Sequence, residues 1–152
     1  MANAQPVERS RGASGSHDPM KVVLDTNVLV SGVFFSGPPR QILEAWRDGR
    51  IQLVASLEVL EEYRRVGERL GAEFEGVSLE PFFTLLGSNA LIVQPRPLPQ
   101  AVVSDSTDDK FFACALGTDC RVIISGDKRV LAASGHEGVE VIRPRSFVER
   151  YI

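Results

Sequence analysis

The sequence predicts an α/β protein with a central parallel sheet of about five strands and helices on both faces. Three observations lead there. Short apolar runs of strand length recur along the chain. Between them lie longer segments whose apolar residues repeat at helical spacing, and this alternation produces βα units. Two of the apolar runs, VVLD and VIISGD, end in an acid, at the strand edge where sheets of this class bind ligands.

The first 19 residues, MANAQPVERSRGASGSHDP, lack apolar periodicity and are rich in Ala, Gly, Ser and Pro. They are expected to form a flexible N-terminal tail (residues 1–19), with residues 20–152 forming one domain. KVVLD is the first strand and NVLVSGVFF a short helix or turn. PPRQILEAWRDG is a helix entered through proline and left through Gly49. IQLVAS is the second strand, and LEVLEEYRRVGERLG an amphipathic helix ending near Gly71. SLEPFFTLLGS is a further helix and ALIVQP the third strand. STDDKFFACALGTD is a helix opened by hydroxyl and acidic residues. RVIISGDK contains the fourth strand, and a short helix follows around KRVLAAS. VEVIRP is the fifth strand and RSFVERYI the last helix.

At 152 residues, 43% hydrophobic and 24% charged, the chain has the composition of a globular domain with a real core. No apolar run approaches bilayer-spanning length, so no membrane partner is expected. A net charge of −3 argues against a uniformly basic nucleic-acid coat and leaves room for a local basic groove. Cys114 and Cys120 are too few for a disulfide framework and are expected as buried thiols in the cytoplasm. The only histidines are His17, in the tail, and His136, in the loop SGHEG. A histidine-activated nucleophile therefore lacks a base, and any chemistry falls to carboxylates.

Four acids stand out. Asp25 and Asp127 follow strands one and four and share one sheet edge, although either also suits the N-cap of the next helix. On a helical wheel, Phe111, Phe112, Ala115 and Leu116 define an apolar face with Asp108 near its centre and Asp109 at its margin. Glu62 borders the face made by Val59, Leu60, Tyr63, Val66 and Leu70, whereas Glu61 points away, near Arg64 and Arg65. Carboxylates brought together repel one another and raise each other's pKa. Mg²⁺ or Mn²⁺ relieves that repulsion, prefers oxygen ligands and supports phosphodiester hydrolysis.

The pieces VVLDTNVLVSG, SLEVLEEYRRV, DSTDDKFFACAL and VIISGDKRVL, in this order, resemble the PIN-domain family of ribonucleases. They are most similar to its bacterial and archaeal toxin-like branch, related to VapC toxins, and the resemblance runs from about Met20 to the C terminus. It implies a three-layer α/β/α fold and a Mg²⁺- or Mn²⁺-dependent RNA-cleaving site of three or four acids. By motif position, Asp25, Glu62, Asp108 and Asp127 match those acids. Asn27 and Ser125 match the small polar residues that hydrogen-bond around them, and Asp105 and Asp109 compete with Asp108 for its place. The resemblance also implies a small antitoxin as partner and a homodimer. Trp46, Phe82 and Phe83 are candidates for such an interface, with core packing the alternative use.

An RNA substrate needs positive charge beside the acids. Lys128 and Arg129 directly follow Asp127, with Arg40, Arg64, Arg65, Arg69 and Lys110 as further candidates. Single-stranded or looped RNA suits a concave rim better than duplex. Two other readings compete. One is a non-catalytic PIN-like domain that binds RNA or protein. The other is an aspartate-based phosphatase, which uses a second acid two residues after the first; position 27 is Asn.

Overall fold

The computed structural model describes residues 18–74 and 78–152; His17 and all but two residues of the predicted tail lie outside them. The strands are β1 (Met20–Leu24), β2 (Ile51–Ala55), β3 (Leu91–Ile92), β4 (Val122–Ile124) and β5 (Glu140–Ile142). The helices are α1 (Thr26–Phe34), α2 (Pro38–Arg47), α3 (Leu57–Gly71), α4 (Glu80–Asn89), α5 (Asp109–Leu116), α6 (Lys128–Ala132) and α7 (Pro144–Tyr151). All strands pair in parallel, in the order β3-β2-β1-β4-β5.

Central position explains the composition of β1. Successive strand residues face opposite sides of a sheet, and Val22, Val23 and Leu24 are all at most 1% exposed. Both faces are therefore covered by helices, which gives three α/β/α layers. Helix α5 packs on β1, β2 and β4, while α2 packs on β2 and against α1 and α7. Gly32 permits the α1–α2 contact: a Cβ there would stand 2.6 Å from Leu43 Cδ1 and 2.8 Å from the Pro39 carbonyl. No described helix is long and apolar enough to cross a membrane.

Two elements differ from the sequence expectation. The third strand is only Leu91–Ile92, exposed at the sheet edge, and its ladder ends after Val93 N–H reaches the Ala55 carbonyl at 2.9 Å. Pro95 and Pro97, which lack the donor a ladder needs, lie just beyond. The segment STDDKFFACAL is not one helix: Ser106–Asp108 form a 3-10 turn, and α5 begins at Asp109. Asp105 caps the turn by accepting from Thr107 N–H at 3.1 Å. Asp108 is consequently the residue before the α-helix rather than part of its first turn.

Candidate active site

Sheet pairing continues one step beyond β1 and β4. Asp25 N–H donates to the Ile124 carbonyl at 2.9 Å, and Ser125 N–H to the Ile142 carbonyl at 3.0 Å. This brings the ends of neighbouring strands together. Ser125 Oγ donates to Asp25 Oδ2 at 2.6 Å and accepts from Asp127 N–H at 3.0 Å.

Both strand-end acids are also helix caps. Asp25 accepts from Asn27 N–H at 3.2 Å at the start of α1, and Asp127 from Arg129 N–H at 2.8 Å at the start of α6. Capping and a place at the rim coexist, because a cap uses only part of a carboxylate's acceptor capacity. Asp25 is buried, and that burial raises its carboxyl pKa against the lowering effect of Ser125 and Asn27; Asp127 and Glu62 add to the rise.

Glu62 projects from α3, next to the buried Tyr63. The Tyr63 hydroxyl donates to the Leu24 carbonyl at 2.5 Å, fixing the helix against the end of β1. Thr26 Oγ1 donates to Glu62 Oε2, and Lys110 Nζ lies 2.7 Å from Glu62 Oε1. Burial pushes the Glu62 carboxyl up, but Lys110 and Thr26, with Arg65 at 3.7 Å, hold it below its ordinary value. Thr26, Tyr63 and Lys110 are supports that sequence reasoning did not assign. Thr26 and Tyr63 sit inside the motifs LDTN and EEY, so the small hydroxyl and the aromatic beside each acid were the available signals.

Asp108 is half-buried, and burial followed by the charges of Asp25, Asp105 and Asp127 pushes its carboxyl to about 6. Those influences associate Asp108 with the strand-end acids. Asp109 is committed elsewhere: its carboxylate accepts from Val102 N–H at 3.1 Å and Val103 N–H at 2.7 Å, anchoring the loop before α5. Asp105 stays near the rim, where Arg129 bridges it to Asp127 with 3.1 Å contacts to each. Arg129 and its own amide pull the Asp127 carboxyl below the usual range.

The basic candidates divide sharply. Lys110, a candidate cation for RNA, is turned inward, its side chain only 9% exposed, because Glu62 and the Thr107 carbonyl offer acceptors there. Arg40 donates to the Gly32 and Val33 carbonyls at the end of α1. Arg64 pairs with Glu68 and Glu80 and lies over the Phe83 ring. Lys128 is exposed at the start of α6. Trp46 and Phe83 are buried in the core. Trp46 also lines, with Phe82 and Leu85, a groove of about 320 Å³ between α2 and α4 that contains none of the four acids.

Among the described residues, no three His, Cys, Asp or Glu side chains form a ready cage for a metal ion. Two of the four acids are instead matched with cations, Glu62 with Lys110 and Asp127 with Arg129. The donor set nevertheless fits a hard divalent ion. It is all oxygen, and Asp25 and Asp108 both hold protons more tightly than usual, first because they are removed from water and then because neighbouring carboxylates add to the rise, a charge imbalance that a cation reduces.

Comparison with known proteins agrees with this architecture. A family model described as PIN domain matches residues 21–129. Among solved structures, PAE2754 from Pyrobaculum aerophilum superposes with a TM-score of 0.58 at 13% identity, covering 91% of this chain and 92% of that one. No curated protein matches the sequence. The PIN-domain match extends over most of the chain and spans every strand-end acid discussed above, so the chain belongs to the PIN-domain family.

Proposed function

We propose that the chain is a Mg²⁺- or Mn²⁺-dependent endoribonuclease of the VapC-related, toxin-like branch, cleaving single-stranded or looped RNA. Asp25, Glu62, Asp108 and Asp127 are its acidic centre. PIN domains are generally nucleases that use divalent metal ions, which supports this reading at the level of the family. The observation that carries it to particular residues is the Ser125 hydroxyl, which joins Asp25 at 2.6 Å to the Asp127 amide at 3.0 Å and holds the acids of neighbouring strands side by side; their charges add to the burial that pushes the Asp108 carboxyl up to about 6. Carboxylates of separate elements acting on one another at a strand edge are what a cation site requires and what a set of independent helix caps does not.

A bound divalent ion would supply a water of lowered pKa and charge stabilisation at the phosphate. The chain's own residues orient the donors: Ser125 and Asn27 hold Asp25, Thr26 holds Glu62, and the α6 amides hold Asp127. Lys128, Arg129, Arg65 and Arg40 are the exposed basic residues near these elements; Arg129 and Arg65 face carboxylates and Arg40 the α1 carbonyls. An antitoxin is the proposed partner and a homodimer the proposed assembly. The groove between α2 and α4, with Leu85 43% exposed, is apolar surface available for a protein contact.

The test is cleavage of labelled single-stranded RNA with Mg²⁺ or Mn²⁺, with and without chelator, by the natural chain and by Asp25→Asn. Asparagine is as good an N-cap as aspartate, so the variant keeps its fold and loses a cation ligand. A drop of at least about a hundredfold, on the scale typical of a lost active-site group, supports the proposal. Equal cleavage by both proteins rejects it. A non-catalytic RNA-binding role is the second reading, favoured by the pairing of Glu62 with Lys110 and Asp127 with Arg129. It predicts RNA binding without turnover in every metal.

A further inference from the structure

A cavity of about 340 Å³ opens directly beside Asp25 and Asp127, and its lining includes neither Glu62 nor Lys110. Its size falls in the range of small-molecule sites, about 300–1,000 Å³. We infer that this cavity seats one nucleobase of the RNA strand whose phosphate lies at the acids. The inference rests on the ribonuclease reading and assigns a subsite to it.

Asp25 and Asp127 stand in one wall of the cavity, where a cation they hold would take the phosphate, so the uncharged base of the same nucleotide is the part left to fill the space beside them. The other walls suit a planar, partly apolar group. Val28 of α1, Pro39 of α2 and Pro144 of α7 come from three elements, and both prolines lie in the first turns of their helices. A proline there has its φ fixed by the ring and is held by the helix that follows, so these walls are rigid before a ligand arrives.

Recognition groups are also present. Asn27 spends its backbone N–H on Asp25, and its exposed side chain remains at the cavity. A carboxamide offers a donor and an acceptor in one plane, the arrangement that reads a base edge. The Ser31 hydroxyl lies one helical turn further along α1, on the same lining. Gly126 forms part of the rim, and a Cβ there would meet nothing within 4 Å, so the mouth is open on that side.

Two measurements on the full chain test the subsite. The first titrates the protein with each of the four ribonucleosides, which carry no phosphate, and follows backbone amide signals. At least one nucleoside is expected to shift Asn27, Ser31 and Gly126, and Ser31→Leu is expected to abolish the shifts by filling the cavity. Gly126→Leu, which adds a side chain at the open rim, guards against a folding defect in the first variant. The second measures affinity for a short single-stranded RNA and for an all-abasic ribose-phosphate strand of the same length. Each variant is expected to weaken the RNA by about tenfold, the scale of one stacked base, and to leave the abasic strand unchanged.

Absence of nucleoside shifts, or an equal loss for the two strands, overturns the subsite. Failure of the ribonuclease reading looks different: Asp25→Asn then cleaves like the natural chain, whatever the nucleosides do.

Discussion

Ser125 Oγ donates to Asp25 Oδ2 across the β1–β4 edge at 2.6 Å, and the same oxygen accepts the Asp127 N–H at 3.0 Å. One buried hydroxyl thus ties together the two acids that follow neighbouring strands. Its position depends on the parallel register, in which Leu24 is opposite Ile124, so the next residues of each strand emerge side by side.

Ser125→Ala removes both bonds from a fully buried position. The stability loss expected from unmade buried hydrogen bonds is about 1–3 kcal/mol, read as a lower denaturant midpoint. Ser125 is also the leading influence that lowers the Asp25 pKa against burial. Its loss should raise that carboxyl further and move the acidic limb of RNA cleavage to higher pH. An unchanged pH–rate profile would show that Ser125 serves the fold alone.

Asp108→Asn should be more stable than the natural chain at neutral pH while losing cleavage. The Asp108 carboxyl titrates at about 6 in the fold against 3.8 ordinarily. A raised folded pKa means that the natural chain loses stability as pH climbs from the lower value through the upper one. Asparagine does not titrate, so its advantage is absent below 3.8, grows across that window and is complete above about 6. Because the group is only half-buried, solvent screening limits the gain to about 1 kcal/mol, or about 2–4 °C in Tm. Thermal melts of both proteins across this pH range check it, and a variant advantage independent of pH would contradict it.

The order of strands and helices was legible because periodicity changes at nearly every boundary. Val22–Leu24 read as a buried strand and are buried, and α3 carries Val59 and Tyr63 inward as its wheel requires. The third strand was overextended because LIV has strand propensity, and nothing local in it reports an edge position with only β2 to pair with. Helical phase set Asp108 apart from Asp109 in the sequence, but Asp108 precedes α5, and the loop amides that claim Asp109 come from residues 102–103, a contact outside any wheel. The inward turn of Lys110 escaped for a similar reason: its partner Glu62 is 48 positions away in sequence and on another helix.

Lys110→Met should expose the dependence of Glu62 on that partner. With Lys110 and Thr26 beside it, the Glu62 carboxyl lies below its ordinary 4.5. A lowered folded pKa contributes stability that is present above the ordinary value and lost as pH falls through the folded one. The variant is expected to lose about 1–2 kcal/mol at neutral pH, since the pair is largely but not wholly removed from water. The gap between the two proteins should close as the solution is acidified below 4.5. Denaturant titrations at several pH values, with Glu62→Gln completing a double-mutant cycle, measure the coupling directly. Additive effects of the two substitutions would mean that the contact carries no energy.

Lys128 and Arg129 are adjacent in sequence but differ in what holds their charge, and salt dependence of RNA affinity should separate them. Arg129 bridges Asp105 and Asp127 at 3.1 Å each, so its charge is largely matched within the protein. Lys128 is exposed beside it. Each phosphate contact releases condensed counterions and contributes about 0.7 to the slope of log affinity against log salt for a single strand. Lys128→Ala is expected to reduce that slope by about this amount and to weaken all sequences alike, as a phosphate contact does. Arg129→Ala is expected to leave the slope nearly intact while freeing Asp105 and Asp127, which should tighten Mn²⁺ binding measured without RNA. If Arg129→Ala flattens the salt dependence and Lys128→Ala does not, Arg129 leaves its acids for the RNA and the assignment of the two side chains is reversed.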